Sequence, residues 1–178
     1  LLGSYMMMLP IIGLFLAISQ AGIPHAFMTL ISKHKQNTIS ILKTCLFLII
    51  IQSFFCILLI YFFRQSMQYL KLILLYVILC NLSALVRSYH VARNKAMIPA
   101  LSNILEECIR MTFLMTFFKS NPTLEVVFTG MFLGELTSLT FMLTRIKLTH
   151  LKKIDFKHHH FLYKEVLSIS FPTSITQL

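Results

Sequence analysis

Residues 44–63 read TCLFLIIIQSFFCILLIYFF, twenty positions without a charged side chain. A helix rises 1.5 Å per residue, so the run measures roughly 30 Å, the thickness of a bilayer's hydrocarbon core. Lys43 and Arg64 close it at its two ends. Upstream, Leu1 to Ser32 carries no Asp, Glu, Lys or Arg over 32 residues. That is roughly 48 Å of helix, too long for one straight span. The break is predicted at Gly22-Ile23-Pro24, because Pro24 removes a helix hydrogen bond and disfavours helical geometry at Ile23.

Downstream, Lys71 to His90 reads as a third span whose ends require Lys71 and Arg87 to snorkel toward water. Ala96 to Phe118 is a fourth, with Pro99 in its first turn and Glu106, Glu107 and Arg110 in its middle. Thr123 to Thr144 is a fifth, interrupted by Glu135, and a sixth begins near Tyr163 and is cut off at Leu178. The predicted fold class is therefore all-α, a polytopic membrane helix bundle with spans at 1–32, 44–63, 71–90, 96–118 and 123–144.

Composition points the same way. Of 178 residues 57% are hydrophobic, and 12% are charged where soluble domains carry roughly a quarter. Five glycines, five prolines and 16 phenylalanines exclude disordered and collagen-like classes. Cys45, Cys56, Cys80 and Cys108 form no C-x-x-C pair and all fall in apolar blocks, so they read as buried free thiols. A first apolar block of this length without a basic leader does not read as a cleavable signal peptide. The Leu at position 1 and the interrupted last run make the chain read as a fragment of a longer protein.

The net charge of +10 would suggest nucleic acid in a soluble chain, but here the basic residues sit in short connections between apolar blocks. Laid alternately on two sides, Lys33, Lys35, Lys43, Arg87, Arg93, Lys95, Arg145, Lys147, Lys152, Lys153, Lys157 and Lys164 face Arg64, Lys71 and Lys119. Twelve against three places loops 33–43, 87–95 and 145–164 in the cytoplasm of a cell-membrane protein, and the first residue on the outer face.

Charges at membrane depth are the candidate functional residues, since insertion alone costs at least ~2.5–3.5 kcal/mol per charge. Glu106 lies about ten residues into its span, with Arg110 four residues on in the favourable acid-then-base order. Asn103 and Pro99 are predicted on the same face. The pair is read either as the wall of a hydrated cavity that meets a charged substrate or coupling ion, or as a buried structural ion pair. Glu107 points about 100° away, toward another helix or a second part of the cavity. Glu135 follows Gly130-x-x-x-Gly134, a spacing for close helix packing, with Thr137 and Ser138 as interhelical hydrogen bonders. Asn81 reads as a bond across helices. His158-His159-His160 lies in the basic loop 145–162, where anionic lipid head groups are the better-fitting ligand than a metal. No P-loop, G-x-G-x-x-G or G-x-S-x-G occurs, so an ATP-driven pump or a membrane hydrolase has no support in these residues, and no cofactor and no metal is expected.

Three stretches resemble one family. GSYMMMLPIIGLFLAISQAGIPHAFMTLISKH (3–34) resembles the second helix of the multidrug/oligosaccharidyl-lipid/polysaccharide (MOP) exporter superfamily, with its Gly-x-Tyr entry and Gly-Ile-Pro turn. SYHVARNKAMIPALSNILEECIRM (88–111) is similar to the fourth-to-fifth helix junction of the polysaccharide-flippase branch, especially stage V sporulation protein B-like members. Asn94, Pro99, Ser102, Glu106 and Arg110 stand in register there. YKEVLSISFPTSITQL (163–178) resembles the start of the seventh helix. Where relatives commonly carry a Gly-rich turn near the end of helix four, this chain has His90-Val91-Ala92-Arg93.

The resemblance implies that residues 1–162 are a first-lobe transmembrane bundle lacking its first helix, and 163–178 the truncated start of the second lobe. It implies an intact protein that flips a lipid-linked saccharide or cell-wall precursor by alternating access around a cationic cavity accepting the pyrophosphate, with no covalent step. Arg110, Glu106, Arg87, Glu135 and Glu107 are the cavity candidates it suggests. Membrane lipid and the lipid-linked saccharide are the expected partners, and this chain alone, without an opposing lobe, is expected not to transport. A cation-coupled multidrug antiporter of the same superfamily, and a non-transporting membrane remnant or scaffold, are the alternatives.

Overall fold

A computed structural model describes residues 10, 12–14, 16, 17, 20, 22–33, 38–62, 70–120, 122–146 and 164–170. Gly3, Tyr5, His158–His160 and most of the basic loop 145–162 lie outside the described residues, as do the side chains of Cys56 and Lys71. The described residues form helices and their connections, with no strand among them.

The chain turns where Gly22 and Pro24 predict it. Gly22 takes φ 70°, left-handed backbone open to a residue without Cβ. Its carbonyl accepts the Ala26 N–H at 3.0 Å, opening α1 (Ile23–Lys33). Pro24 is the second residue of that helix, where a missing N–H leaves no bond unmade. The glycine thus makes the turn and the proline starts the new helix. Ile23, Ala26, Phe27, Leu30 and Ile31 recur at helical spacing and form its buried stripe.

α2 spans Thr38–Phe62, 25 residues, and begins ahead of the uncharged run. The apolar block marks where side chains can meet hydrocarbon, not where the backbone stops coiling. Ile41, Cys45, Ile49 and Ser53 line its buried face, while Phe47, Ile50, Phe54 and Leu58 are exposed on others. A helix apolar all round with only one face covered is unusual in water.

α3 (Leu70–Ala92) packs against each of the other four labelled helices. Buried Asn81 donates to Ser53 Oγ of α2 at 3.2 Å, the cross-helix bond its position predicts. Two apolar layers surround α3. At one end Leu85 joins Ile31, Ile41, Cys45 and Val166; at the other, Ile73, Tyr76 and Val77 join Leu124, Phe128 and Met131.

α3 ends in a Schellman turn. Lys95 N–H bonds His90 O at 2.9 Å, Asn94 N–H bonds Val91 O at 2.9 Å, and Asn94 holds the left-handed position at φ 56°. Asparagine is among the few residues that tolerate it, so Asn94 does what a glycine-rich turn would do.

α4 (Met97–Phe117) returns antiparallel, and α5 (Leu124–Thr144) runs back beside α3 and α4. Leu124, Phe128, Met131, Glu135, Leu139 and Met142 bury one stripe of α5. Two helices, Ile73–Ala92 and Leu124–Thr144, are long and apolar enough to cross a membrane, and Ser40–Phe54 is a shorter apolar one. Five spans are expected from the sequence; α4 falls short because Glu106, Glu107 and Arg110 interrupt it. The cysteines also differ from expectation: Cys45 is buried and Cys80 half-buried, but Cys108 is exposed on α4's outer face.

Candidate functional site

The close approach of α4 and α5 is set by the glycines. A Cβ on Gly130 would lie 3.2 Å from Phe113 Cδ1, and one on Gly134 would lie 2.9 Å from the backbone oxygen of Glu106 and 3.3 Å from its Cγ. Two helices meet this closely only where one of them has no side chain. The packing role predicted for Gly130 and Gly134 is what they do, and the partner helix is α4.

This seam carries Glu106 of α4 to Glu135 of α5, and α3 supplies the charge between them. Arg87 Nη2 donates to Glu106 Oε2 at 2.8 Å and to Glu135 Oε1 at 3.1 Å. Both acids are largely out of solvent, their side chains 13% and 5% exposed against 32% for Arg87. One guanidinium nitrogen therefore ties three helices at a single point, with two carboxylates for one positive charge. Arg87 turns inward to these acids and does not snorkel. Its position five residues before the helix end leaves it closer to α4 and α5 than to water.

The Glu106–Arg110 pair expected from the i, i+4 spacing does not form. Arg110 instead donates to Glu107 Oε2, at i, i+3. Glu106 is held inward by Arg87 and by the α5 backbone lying on it, so Arg110 takes the remaining acid within reach. Glu107's side chain is 52% exposed, so this second pair lies on the outside of the bundle. Pro99 is buried with the inner face, whereas Asn103 is exposed. Of the five cavity candidates the structure brings together Arg87, Glu106 and Glu135, and sets Glu107 and Arg110 apart.

Unmatched polar atoms lie within about a turn of the cluster's residues along α3 and α5. Ser83, one turn before Arg87, and Ser138, three residues after Glu135, are fully buried. Their hydroxyls, and Arg87 Nε, have no hydrogen-bond partner among the described residues. Ser138 thus does not bond across helices as expected, and Thr137 bonds its own helix at Leu133 O, 2.7 Å away. Buried hydroxyls of this kind ordinarily hold water or a ligand. A fixed cation between two acids is an arrangement that can bind charge. No group of three or more His, Cys, Asp and Glu side chains placed to hold a metal occurs among the described residues.

A buried contact missed by sequence reasoning is His90 on Met142. The carbonyl oxygen of Met142 accepts from His90 Nε2 at 3.0 Å, across 52 residues of chain, with the ring 1% exposed. A histidine ending an apolar helix, four residues before an asparagine turn, was the available signal. Compared with protein-family models, with curated proteins and with solved structures, the chain matches none.

Proposed function

We propose that this chain is a multi-pass membrane protein belonging to the first lobe of a lipid-linked oligosaccharide flippase of the MOP superfamily. The observation that carries the reading is the Arg87–Glu106–Glu135 cluster, held between α3, α4 and α5, of which α3 and α5 are long and apolar enough to cross a bilayer. Charges at membrane depth are retained where they line a substrate or ion path. The exposed apolar faces of α2 and α4 support the membrane setting. So do the hydroxyls of Thr112, Thr116 and Thr140, which bond backbone carbonyls of their own helix and leave no donor unmet toward lipid. With Arg87 drawn into the bundle, the basic residues still stand eleven against three across the two sides, supporting cytoplasmic loops at 33–43 and 145–164.

The test is accumulation of lipid-linked saccharide precursor on the cytoplasmic leaflet in cells lacking the intact protein. Re-expression of the full coding sequence is expected to clear the precursor, and an Arg87→Gln version is expected to leave it in place. Clearance by Arg87→Gln at the wild-type rate would reduce the cluster to a structural tie. A second reading, cation-coupled antiport, is favoured by one feature: two carboxylates share one guanidinium, leaving an acid to spare for a proton or small cation. It predicts transport that depends on a proton or sodium gradient and does not require a lipid-linked substrate.

A further inference from the structure

Three helices bring two carboxylates and one guanidinium to a single point, and the charges there do not balance. Arg87 Nη2 lies 2.8 Å from Glu106 Oε2 and 3.1 Å from Glu135 Oε1. One nitrogen at those distances keeps the two oxygens within about 6 Å of each other, the range over which like charges oppose each other's ionisation. The other titratable groups acting on the two acids from the packed helices do not supply the missing charge. Tyr76 and Cys80 of α3, a phenol and a thiol, are uncharged near neutral pH. Glu107 of α4 is a further acid, and Arg110 is bound to it on the outside of the bundle. His90, three residues beyond Arg87, is occupied with Met142 O. With both Glu106 and Glu135 ionised, the cluster therefore carries a surplus negative charge in surroundings that penalise it.

Two hydroxyls face the same seam. Tyr76, Ser83 and His90 stand seven residues apart on α3, close to two helical turns, and so fall on one line of its surface. Tyr76 joins the layer of Leu124, Phe128 and Met131, and His90 bonds Met142 O. That line faces α5 at both ends, with Ser83 midway along it. Ser138 lies on α5 between Glu135 and Met142, which both bond α3. Both serines are 0% exposed, and neither hydroxyl has a partner among the described residues. Arg87 Nε has none there either. A buried hydroxyl left open in this way is satisfied by water or by a bound group.

We propose that Glu106 and Glu135 hold one exchangeable proton between them, a proton-binding site where α3, α4 and α5 meet, with Ser83 and Ser138 holding the water that solvates it. The proton comes from solvent and returns to it. A metal ion brought to both carboxylates would have to displace a guanidinium nitrogen that already bonds each of them. A proton needs only one oxygen and cancels the surplus charge, leaving Arg87 to balance the remaining carboxylate. The inference rests on the reading of this cluster as a charge-binding site, and not on which substrate the intact protein moves.

Infrared spectra of the full chain in vesicles at neutral pH read the proton directly, because a carboxylic acid and a carboxylate absorb at different frequencies. A protonated-acid band is expected, and it is expected to shift in deuterium oxide. Glu106→Gln and Glu135→Gln are each expected to abolish it, since the acid left behind has Arg87 to itself and ionises. A band that survives either substitution places the proton on one acid alone and overturns the sharing. Glu107→Gln is expected to leave the band in place, and its loss there overturns the assignment to the inner pair. Ser83→Ala with Ser138→Ala is expected to shift the band without abolishing it; an unmoved band overturns the part given to the hydroxyls. Loss of the band when sodium chloride replaces choline chloride overturns a proton as the occupant in favour of a metal ion. Circular dichroism checks that each variant keeps its helices, and where one does not, the folded wild-type chain still decides: no protonated-acid band there overturns the site outright. The band is read without any transport, so its absence leaves the flippase reading standing, whereas wild-type precursor clearance by Arg87→Gln removes the cluster from transport and leaves the proton in place.

Discussion

Arg87 holds two acids on two other helices through one nitrogen, so the three residues are not interchangeable in what their loss does. Removing either acid leaves the guanidinium with the other. Removing the arginine leaves two buried carboxylates facing each other with no cation, the most costly arrangement. Arg87→Met is therefore expected to destabilise the chain by about 3–5 kcal/mol. Glu106→Gln or Glu135→Gln is expected to cost about 1.5–3 kcal/mol, the range for a hydrogen bond to a charged group. Arg110→Ala, which breaks a pair on the outside of the bundle, is expected to cost about 1 kcal/mol or less. Helix content followed by circular dichroism during heating in detergent ranks the variants, and an Arg110→Ala loss equal to that of Arg87→Met would contradict the assignment of inner and outer pairs. From sequence alone the cation read beside Glu106 was Arg110, four residues away, while Arg87, 19 residues away, read as a snorkelling span end. Local spacing favours Arg110, but that rule describes an isolated helix and knows nothing of the α5 backbone that presses Glu106 inward.

At the scale of elements, the two glycines of α5 make opposite predictions from the same substitution. Alanine gains about 1 kcal/mol over glycine in a helix interior. At Gly130 the added methyl meets Phe113 Cδ1 at 3.2 Å, the edge of a side chain that can turn aside, so Gly130→Ala is expected to be neutral or slightly stabilising. At Gly134 it meets the Glu106 backbone oxygen at 2.9 Å, which moves only if α4 moves. Gly134→Ala is expected to destabilise by about 1–3 kcal/mol, the usual range for overpacking. Thermal melts of the two variants under one detergent condition separate these signs. The turn after α3 gives a parallel test: Asn94→Gly is expected to hold stability, while Asn94→Val loses about 1–2 kcal/mol, because a branched side chain resists the left-handed position. The G-x-x-x-G spacing and the Gly22–Pro24 turn were legible in the sequence, since each depends on residues within five positions of one another. Which helix the glycines receive, and the His90–Met142 join, were not, because both are settled by how α3, α4 and α5 assemble.

For the whole molecule, the question is what covers the apolar faces that the bundle leaves open. On α2, Phe47, Ile50 and Phe54 are more than half exposed, and on α4 so are Met97, Ile104, Met111 and Met115. A water-soluble fold of this size would bury such residues or gather them into one patch for a partner. Here they stand on two separate helices, which suits a surrounding solvent of hydrocarbon better than a single docking partner. Among the charged residues of α3–α5, Arg87, Glu106 and Glu135 turn inward and Arg93, Lys95 and Arg145 lie at the ends, whereas the Glu107–Arg110 pair stands on the outside of α4. Nitroxide labels make the partition measurable, because oxygen concentrates in hydrocarbon and a nickel chelate stays in water. In reconstituted vesicles, labels replacing Phe54 and Met115 are expected to relax with oxygen and not with the chelate, and one replacing Lys95 to do the reverse. Chelate access at Phe54 equal to that at Lys95 would place α2's apolar face in water, and the bundle would then need another cover for it. Protection of Phe54 from both reagents would mean that protein, not lipid, lies against that face. Loss of the oxygen response at Met115 alone would confine such a partner to α4, where the Glu107–Arg110 pair would give it a charge to meet.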